Sequence, residues 1–343
     1  MNKTAQELFY SLIGDAAEYY GANPALALAG KQFSIEAPKE SVLLGAIQQR
    51  SNFLEKINCV FSERYQRAID LRSNRKRHYG AHDRRTPIQQ RWTRQVMSMN
   101  VSRQIQACLI PWAKLDQWGH LKDKFASLYA EFVQNQIALD MIKIGFYGTS
   151  VGTDTSDPNL ADVNKGWIQF VRENKATQIL TQGATSGEIR LFGEGADYVN
   201  LDELAYDLKQ GLDARHRDAG DLVFLVGADL VAKEASLVYK GNGLIATEKA
   251  ALNTHDLMKS FGGMPAMIVP NMPPRAAIVT SLSNLSIYTQ EGSMRRGMKD
   301  DDDKKAVRDS YYRNEAYAVE DCGKFMAVDF TKVKLSSGKG TWK

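Results

Sequence analysis

The sequence predicts an α+β fold with mixed sheets, on three observations. Apolar residues recur at helical spacing from about Leu121 to Phe146, long enough for a rod rather than a connector. The short apolar runs of the second half follow one another without a repeating strand–helix–strand order, which argues against a doubly wound parallel sheet. Just before the rod, residues 61–103 hold eleven basic residues against three acidic ones, a local charge of +8 in a chain of formal net charge +4. A one-signed segment beside a stiff helix reads as a surface that meets another macromolecule.

The first helix is read from the Thr4–Glu7 capping box, with Leu8, Phe9, Leu12, Ile13 and Ala16 on one face. It stops near Gly21 and Pro24, and the alanine-rich run to Gly30 reads as a small-residue linker or a protease site. Pro38 opens a second helix to about Gln49, with Val42, Leu43 and Ile47 inward. The basic segment carries Arg64, Arg67, Arg72, Arg75, Lys76, Arg77, Arg84, Arg85, Arg91, Arg94 and Arg103, against Glu63, Asp70 and Asp83. Turn residues at Tyr79–Asp83 and Thr86–Pro87 break it, and it has too little apolar surface for its own core. A two-stranded arm ordered against a partner fits both facts.

Within the rod, Phe125, Leu128, Phe132, Leu139 and Ile142 are the expected core face. About 26 residues at roughly 1.5 Å each make it about 39 Å long. A helix from around Asp162 takes in Trp167, Ile168, Phe170 and Val171, and another, from Leu201 to Leu212, is capped by Asn200 and Glu203. Asp221–Gly227 is a compact apolar strand followed by helix to Val238. Further strands are read at Met267–Val269, Ala277–Val279, Leu285–Tyr288, Ala316–Val319 and Phe325–Val328, with Gly262–Gly263 as a hairpin turn. Val328 and Phe330 are expected to finish the fold, and Ser336–Gly340 reads as flexible.

Enzyme chemistry finds little support. Gly148–Thr153 lacks the Lys-Ser/Thr that a phosphate-binding loop requires. His78 and His82 stand four apart but in no helical pattern, and Asp300–Asp303 lacks the glycine and terminal Glu of an EF-hand. Cys59, Cys108 and Cys322 show neither disulfide nor zinc spacing, and their odd number suggests a reducing compartment. No stretch is apolar enough to span a membrane, and Gln6, Glu7, Asp15 and Glu18 interrupt any signal-like run. Tyr65, Tyr79 and Trp92, interleaved with arginines, leave a nucleic-acid-binding module as the alternative reading of the arm. Contact with an acidic patch on another subunit is preferred, because no recognised reading module frames these residues.

Taken in order, several stretches resemble the major capsid proteins of peduovirus-type (P2-like) tailed bacteriophages, which have an HK97-like fold. They are Lys31–Glu36, Ser51–Asn58, Leu115–Trp118, Gln136–Asp140 with Gly145–Gly148, Gly166–Gln169, Glu194–Leu204, Asp221–Val223, Asn284–Tyr288 with Arg295–Arg296, and Val319–Asp321. The resemblance covers nearly the whole chain and implies a structural protein of the virion capsid, assembled in the host bacterial cytoplasm. It implies an N-terminal assembly segment (1–30), an N-arm (31–60) that reaches across neighbours, and an E-loop (61–105). A peripheral domain (106–220) follows with a spine helix (121–147), then an axial domain (221–280) and a peripheral return with C-terminal tail (281–343).

By the same resemblance a maturation protease would cut within Ala27, Leu28, Ala29, Gly30 and Lys31. The implied partners are homo-pentamers and homo-hexamers, a scaffolding protein, the protease, a portal protein, a decoration protein, and packaged double-stranded DNA bound without sequence specificity. No membrane, cofactor, metal or catalytic residue is implied. Intersubunit contact would fall on Arg64, Arg67, Arg72, Arg75, Lys76, Arg77, Arg84, Arg85, Arg91, Trp92 and Arg94. This E-loop is unusually rich in arginine and short of glycine and serine, and an outward or lateral position is expected for it.

Overall fold

The computed structural model describes residues 1–62, 66–71, 95–100, 102–185, 187–241, 260–338 and 341–343. Its first helix, Lys3–Tyr19, is capped by Asn2, whose side chain accepts the Ala5 N–H at 2.7 Å, rather than by Thr4. Ala5, Phe9, Ile13 and Ala17, one every fourth residue, form its buried line. The chain turns at Gly21 with φ +78°, a left-handed conformation that favours glycine. The alanine-rich run expected as a linker or protease site contains a short helix, Pro24–Leu28, packed on the first helix and on strand Arg295–Asp301.

Residues 31–60 are built into the chain's own core. Phe33–Ser34 pairs antiparallel with Arg295–Asp301, and Asn58–Ser62 runs parallel to Leu285–Gln290. In the helix Ala37–Gln48, Leu43, Leu44 and Ile47 are buried, whereas Val42, expected inward, is 60% exposed. Glu40 takes an inward position instead, because its carboxylate accepts the N–H groups of Gly292 at 2.9 Å and Met294 at 2.8 Å.

The fourteen-residue strand Ala306–Val319 organises the first sheet. On one side it pairs with Arg295–Asp301 and then Leu285–Gln290; on the other it pairs with Ser102–Pro111. Only its end, Ala316–Val319, was legible as a strand. The second sheet runs in the order Ile179–Leu180, Phe325–Val328, Ala277–Thr280, Val223–Val226, Met264–Met267, Ser260–Phe261. Gly262 and Gly263, both at positive φ, turn its last hairpin between Phe261 and Met264, as the Gly-Gly pair suggests.

This second sheet separates two cores, which explains its continuous apolar strands. Leu225, Ile278, Phe325 and Ala327 belong to the large core; Phe224, Val226, Val279 and Met326 belong to a smaller one with Leu204, Ala205 and Leu208 of the helix Leu201–Gly211. The smaller core therefore draws on Ile189–Leu191 and Leu201–Gly211, which the sequence reading assigns to the 106–220 segment, and on Met326–Val333. The tail is also part of the fold: Val333–Gly338 pairs parallel with Ile189–Leu191 and antiparallel with Thr341–Trp342.

The long helix begins at Phe125, after a 3₁₀ turn at Lys122–Lys124, and ends at Tyr147. Its 23 residues give about 35 Å at 1.5 Å each, shorter than expected. Its C-terminal end meets the helix Trp167–Asn174, which starts after Gly166 rather than at Asp162. The helices approach so closely that a Cβ on Gly145 would lie 2.3 Å from the Trp167 ring. Trp167 is fully buried, donates Nε1–H to the Ser286 carbonyl at 3.1 Å, and meets Phe53, Phe146 and Tyr317 edge-on at 5.1 to 6.0 Å. Trp167→Ala should cost about 3–5 kcal/mol in urea-melt stability, whereas Leu128→Ala should cost clearly less because Leu128 is only half-buried.

Candidate functional site

The arm is rooted in the first sheet. Gln66–Leu71 and Gln95–Asn100 pair antiparallel, Gln66 opposite Asn100 and Leu71 opposite Gln95, as a two-stranded sheet of its own. The chain enters it from Ser62, opposite Gln290, and leaves it at Ser102, opposite Glu315, while Thr289 stands opposite Glu315. The two roots therefore sit at one level of the sheet, three strand spacings or about 14 Å apart.

A buried polar network lies directly at this level. Arg313 and Glu315, on one face of the long strand, are 3% and 0% exposed and form an ion pair. Arg313 also donates to Gln106 Oε1 at 2.9 Å, and Gln106 donates to Asp140 Oδ2 on the long helix at 2.6 Å. Gln136 donates to the other Asp140 oxygen at 2.9 Å, and Tyr317 donates to Glu315 Oε2 at 3.2 Å. The arm root and the long helix are thus one hydrogen-bonded unit, and the orientation of one is tied to that of the other.

A second buried pair lies under the N-terminal segment. Arg296 grips Asp309 with two hydrogen bonds, Nε to Oδ1 at 3.2 Å and Nη2 to Oδ2 at 2.7 Å. Its guanidinium lies 5.1 Å from the Tyr311 ring centroid and 5.9 Å from that of Tyr20. Burial is the largest single effect and disfavours the charged guanidinium, but Asp309, by charge and hydrogen bond, together with Tyr311 and Tyr129 raises the Arg296 pKa. Burial likewise raises the Glu40 pKa, against the two backbone donors that favour its charged form. Sequence reasoning missed these pairs, because Arg296 and Asp309 meet only once the hairpin register is set.

Of the expected contact residues, Arg67 lies in the first arm strand, opposite Met99. Arg64, Arg72, Arg75, Lys76, Arg77, Arg84, Arg85, Arg91, Trp92 and Arg94 lie outside the described residues. Of the expected spine-helix core, Phe125 and Ile142 are buried, but Leu128, Phe132 and Leu139 are only half-buried. The buried line is instead Phe125, Tyr129, Val133, Ile137 and Met141, because the helix turns Tyr129 toward Phe9 of the N-terminal helix. Phe132 packs to the side, edge-on to Trp118 and under Lys114 Nζ at 3.7 Å. In the expected cleavage region Ala27 is buried, Leu28, Ala29 and Lys31 are exposed, and Gly30 is half-buried at φ +73°.

Burial pushes the thiols of Cys59 and Cys322 up to about 12 and that of Cys108 up to about 11, which keeps them protonated at neutral pH. Among the described residues, no three His, Cys, Asp or Glu side chains gather as a metal site, and no helix is long and apolar enough to cross a membrane. Removing the Glu315 carboxylate would strand Arg313 in the core. Glu315→Ala should therefore cost about 3–5 kcal/mol in a denaturant melt, and Asp140→Ala, at the half-buried end of the network, only about 1 kcal/mol.

The comparisons with known proteins agree with this architecture. The family model described as the P2 family of phage major capsid proteins matches residues 8–331. The "Capsid proteins" of Escherichia phage P2 are 31% identical over 234 residues, spanning 65% of this chain and 65% of that protein. The "Major capsid protein" of Serratia phage KSP20 is 25% identical over 351 residues, spanning 96% of this chain and 97% of that one. Among solved structures, the satellite phage P4 procapsid including size determination (Sid) protein superposes with a TM-score of 0.68 at 24% identity, over 94% of this chain and 98% of that one. The capsid of an empty GTA particle gives 0.50 at 12% identity, over 81% and 89%. The HK97-like fold and the match along nearly the whole chain lead to one conclusion: this chain belongs to the P2 family of phage major capsid proteins and has a structural role in the virion.

Proposed function

We propose that the chain is the repeating subunit of the icosahedral head shell that encloses phage DNA, built from its own pentamers and hexamers. The observation that carries this reading is the basic arm, which forms a separate two-stranded sheet rooted through a rigid network to the long helix. Two strands alone are marginal in water, so their ordering cost is offset at a contact with a neighbouring subunit. Many such weak contacts sum over a closed shell, with no catalytic group involved. Family membership favours this over a nucleic-acid-binding module.

The finer assignments follow from the same reading. The arm residues Arg64, Arg67, Arg72, Arg75, Lys76, Arg77, Arg84, Arg85, Arg91, Trp92 and Arg94 lie over an adjacent subunit and meet acidic groups there. Residues 1–30 work during assembly beside a scaffolding protein, and a maturation protease cuts them from the rest of the chain within Ala27–Lys31. The exposed stretch Leu28–Gln32, interrupted only by half-buried Gly30, supports a cut at that end of the segment. Portal and decoration proteins, and DNA held without sequence specificity, complete the set of partners.

The test is co-expression with the neighbouring head-assembly genes, followed by electron microscopy. Closed shells are expected from the native chain. Replacing Arg84 and Arg85 by Glu should leave the melting curve of the subunit unchanged within about 0.5 kcal/mol, while particle yield falls about tenfold or more through like-charge repulsion at the contact. Normal shells from this variant would remove the arm from the assembly contact.

A further inference from the structure

We infer that the body of the chain carries a peptide-binding groove whose ligand is its own first segment, so that a cut near Leu28–Gln32 severs the segment without releasing it. The ligand is an amphipathic helix with a small or apolar residue at every fourth position. Ala5, Phe9, Ile13 and Ala17 are each at most 2% exposed, although Gln6, Glu7, Tyr10, Asp15 and Glu18 of the same helix are exposed. The receiving surface is shaped for them. Gly119 forms its floor, where any Cβ would stand 3.2 Å from the Ala5 Cβ. Asp116 Oδ1 accepts the Asn2 N–H at 2.7 Å at one end of the helix, and Tyr129 faces Phe9 with ring centroids 6.2 Å apart. At the other end Tyr20 covers the buried Arg296–Asp309 pair and meets Phe33 at 6.2 Å.

The covalent connection lies elsewhere. Leu28, Ala29, Lys31 and Gln32 are exposed, and Gly30 is half-buried. The side-chain contacts named above all lie outside this stretch, so cleaving it leaves them in place, breaks the tether and converts an intramolecular contact into a bimolecular one. Departure of the segment then needs a second event that opens the groove, and cleavage becomes a licensing step rather than the release itself. The biological setting rests on the proposed maturation cut, but the groove and its ligand do not.

The test uses the full chain with a site-specific protease sequence inserted between Gly30 and Lys31, cut while folded and examined by gel filtration and native mass spectrometry. Residues 1–30 should co-elute with the body and separate only in denaturant. Phe9→Asp, and Gly119→Leu in the floor of the groove, should each cut the retained fragment about tenfold or more after nicking. Circular dichroism of the same variants before nicking shows that the body is folded. Should either fail to fold uncut, Tyr20→Ala takes its place, with faster exchange of the fragment against a labelled synthetic peptide of residues 1–28 as its readout. A wild-type fragment that elutes free of a folded body, or a body that unfolds on nicking, overturns the proposal. If the natural protease leaves the chain uncut while the engineered nick gives a retained fragment, the maturation reading fails and the groove stands.

Discussion

The strand Ala306–Val319 has to bury charge on one face, and the rest of the structure is arranged around that requirement. Asp309, Tyr311, Arg313, Glu315 and Tyr317 all point into the large core. Two carboxylates in an apolar interior are tolerable only if each meets a cation and further hydrogen bonds. Arg313 meets this need within the strand, and Arg296 meets it from the neighbouring hairpin strand. Strand register, hairpin geometry and the path of the long helix over Gln106 and Asp140 must therefore be correct together. Such pairs contribute little net stability; we read them as fixing which arrangement is reached.

That arrangement explains how one chain combines a rigid body with an outlying arm. The body has its second sheet covered on both faces, so the sheet cannot shift without disturbing two cores at once. The described strands of the arm pair only into a two-stranded sheet of their own, and the chain enters and leaves them at the level of the buried network. In the proposed shell, this division would let the body keep its shape while the arm makes the contact with a neighbouring subunit.

The N-terminal segment sits on the boundary between these two roles. It contributes buried side chains like any core helix, yet its link to the rest of the chain lies at the surface. The expected face of the first helix included Phe9 and Ile13 but not Ala5 and Ala17, which are too small to register as apolar anchors in a periodicity. Small residues are what a closely approached surface such as Gly119 demands.

Much of the rest was legible. Helical periodicity revealed the long helix, Gly-Gly marked the hairpin at Phe261–Met264, and unbroken apolar runs marked strands buried on both faces. The pairing of turn-broken, core-poor flanks revealed a two-stranded arm. Most of the long strand was invisible, because its buried face reads Asp, Tyr, Arg, Glu, Tyr, a pattern that local hydropathy assigns to solvent. The spine-helix face was misplaced because Leu128, Phe132 and Leu139 are as apolar as Tyr129, Val133 and Ile137, and only packing against Phe9 chooses between them. The sequence by itself determined the long helix, the apolar strands of the second sheet, the one-signed arm and the family, since these rest on local propensity, charge and ordered motifs. Tertiary structure alone decided which charges are buried and which helix face is inward, because both depend on partners far apart along the chain.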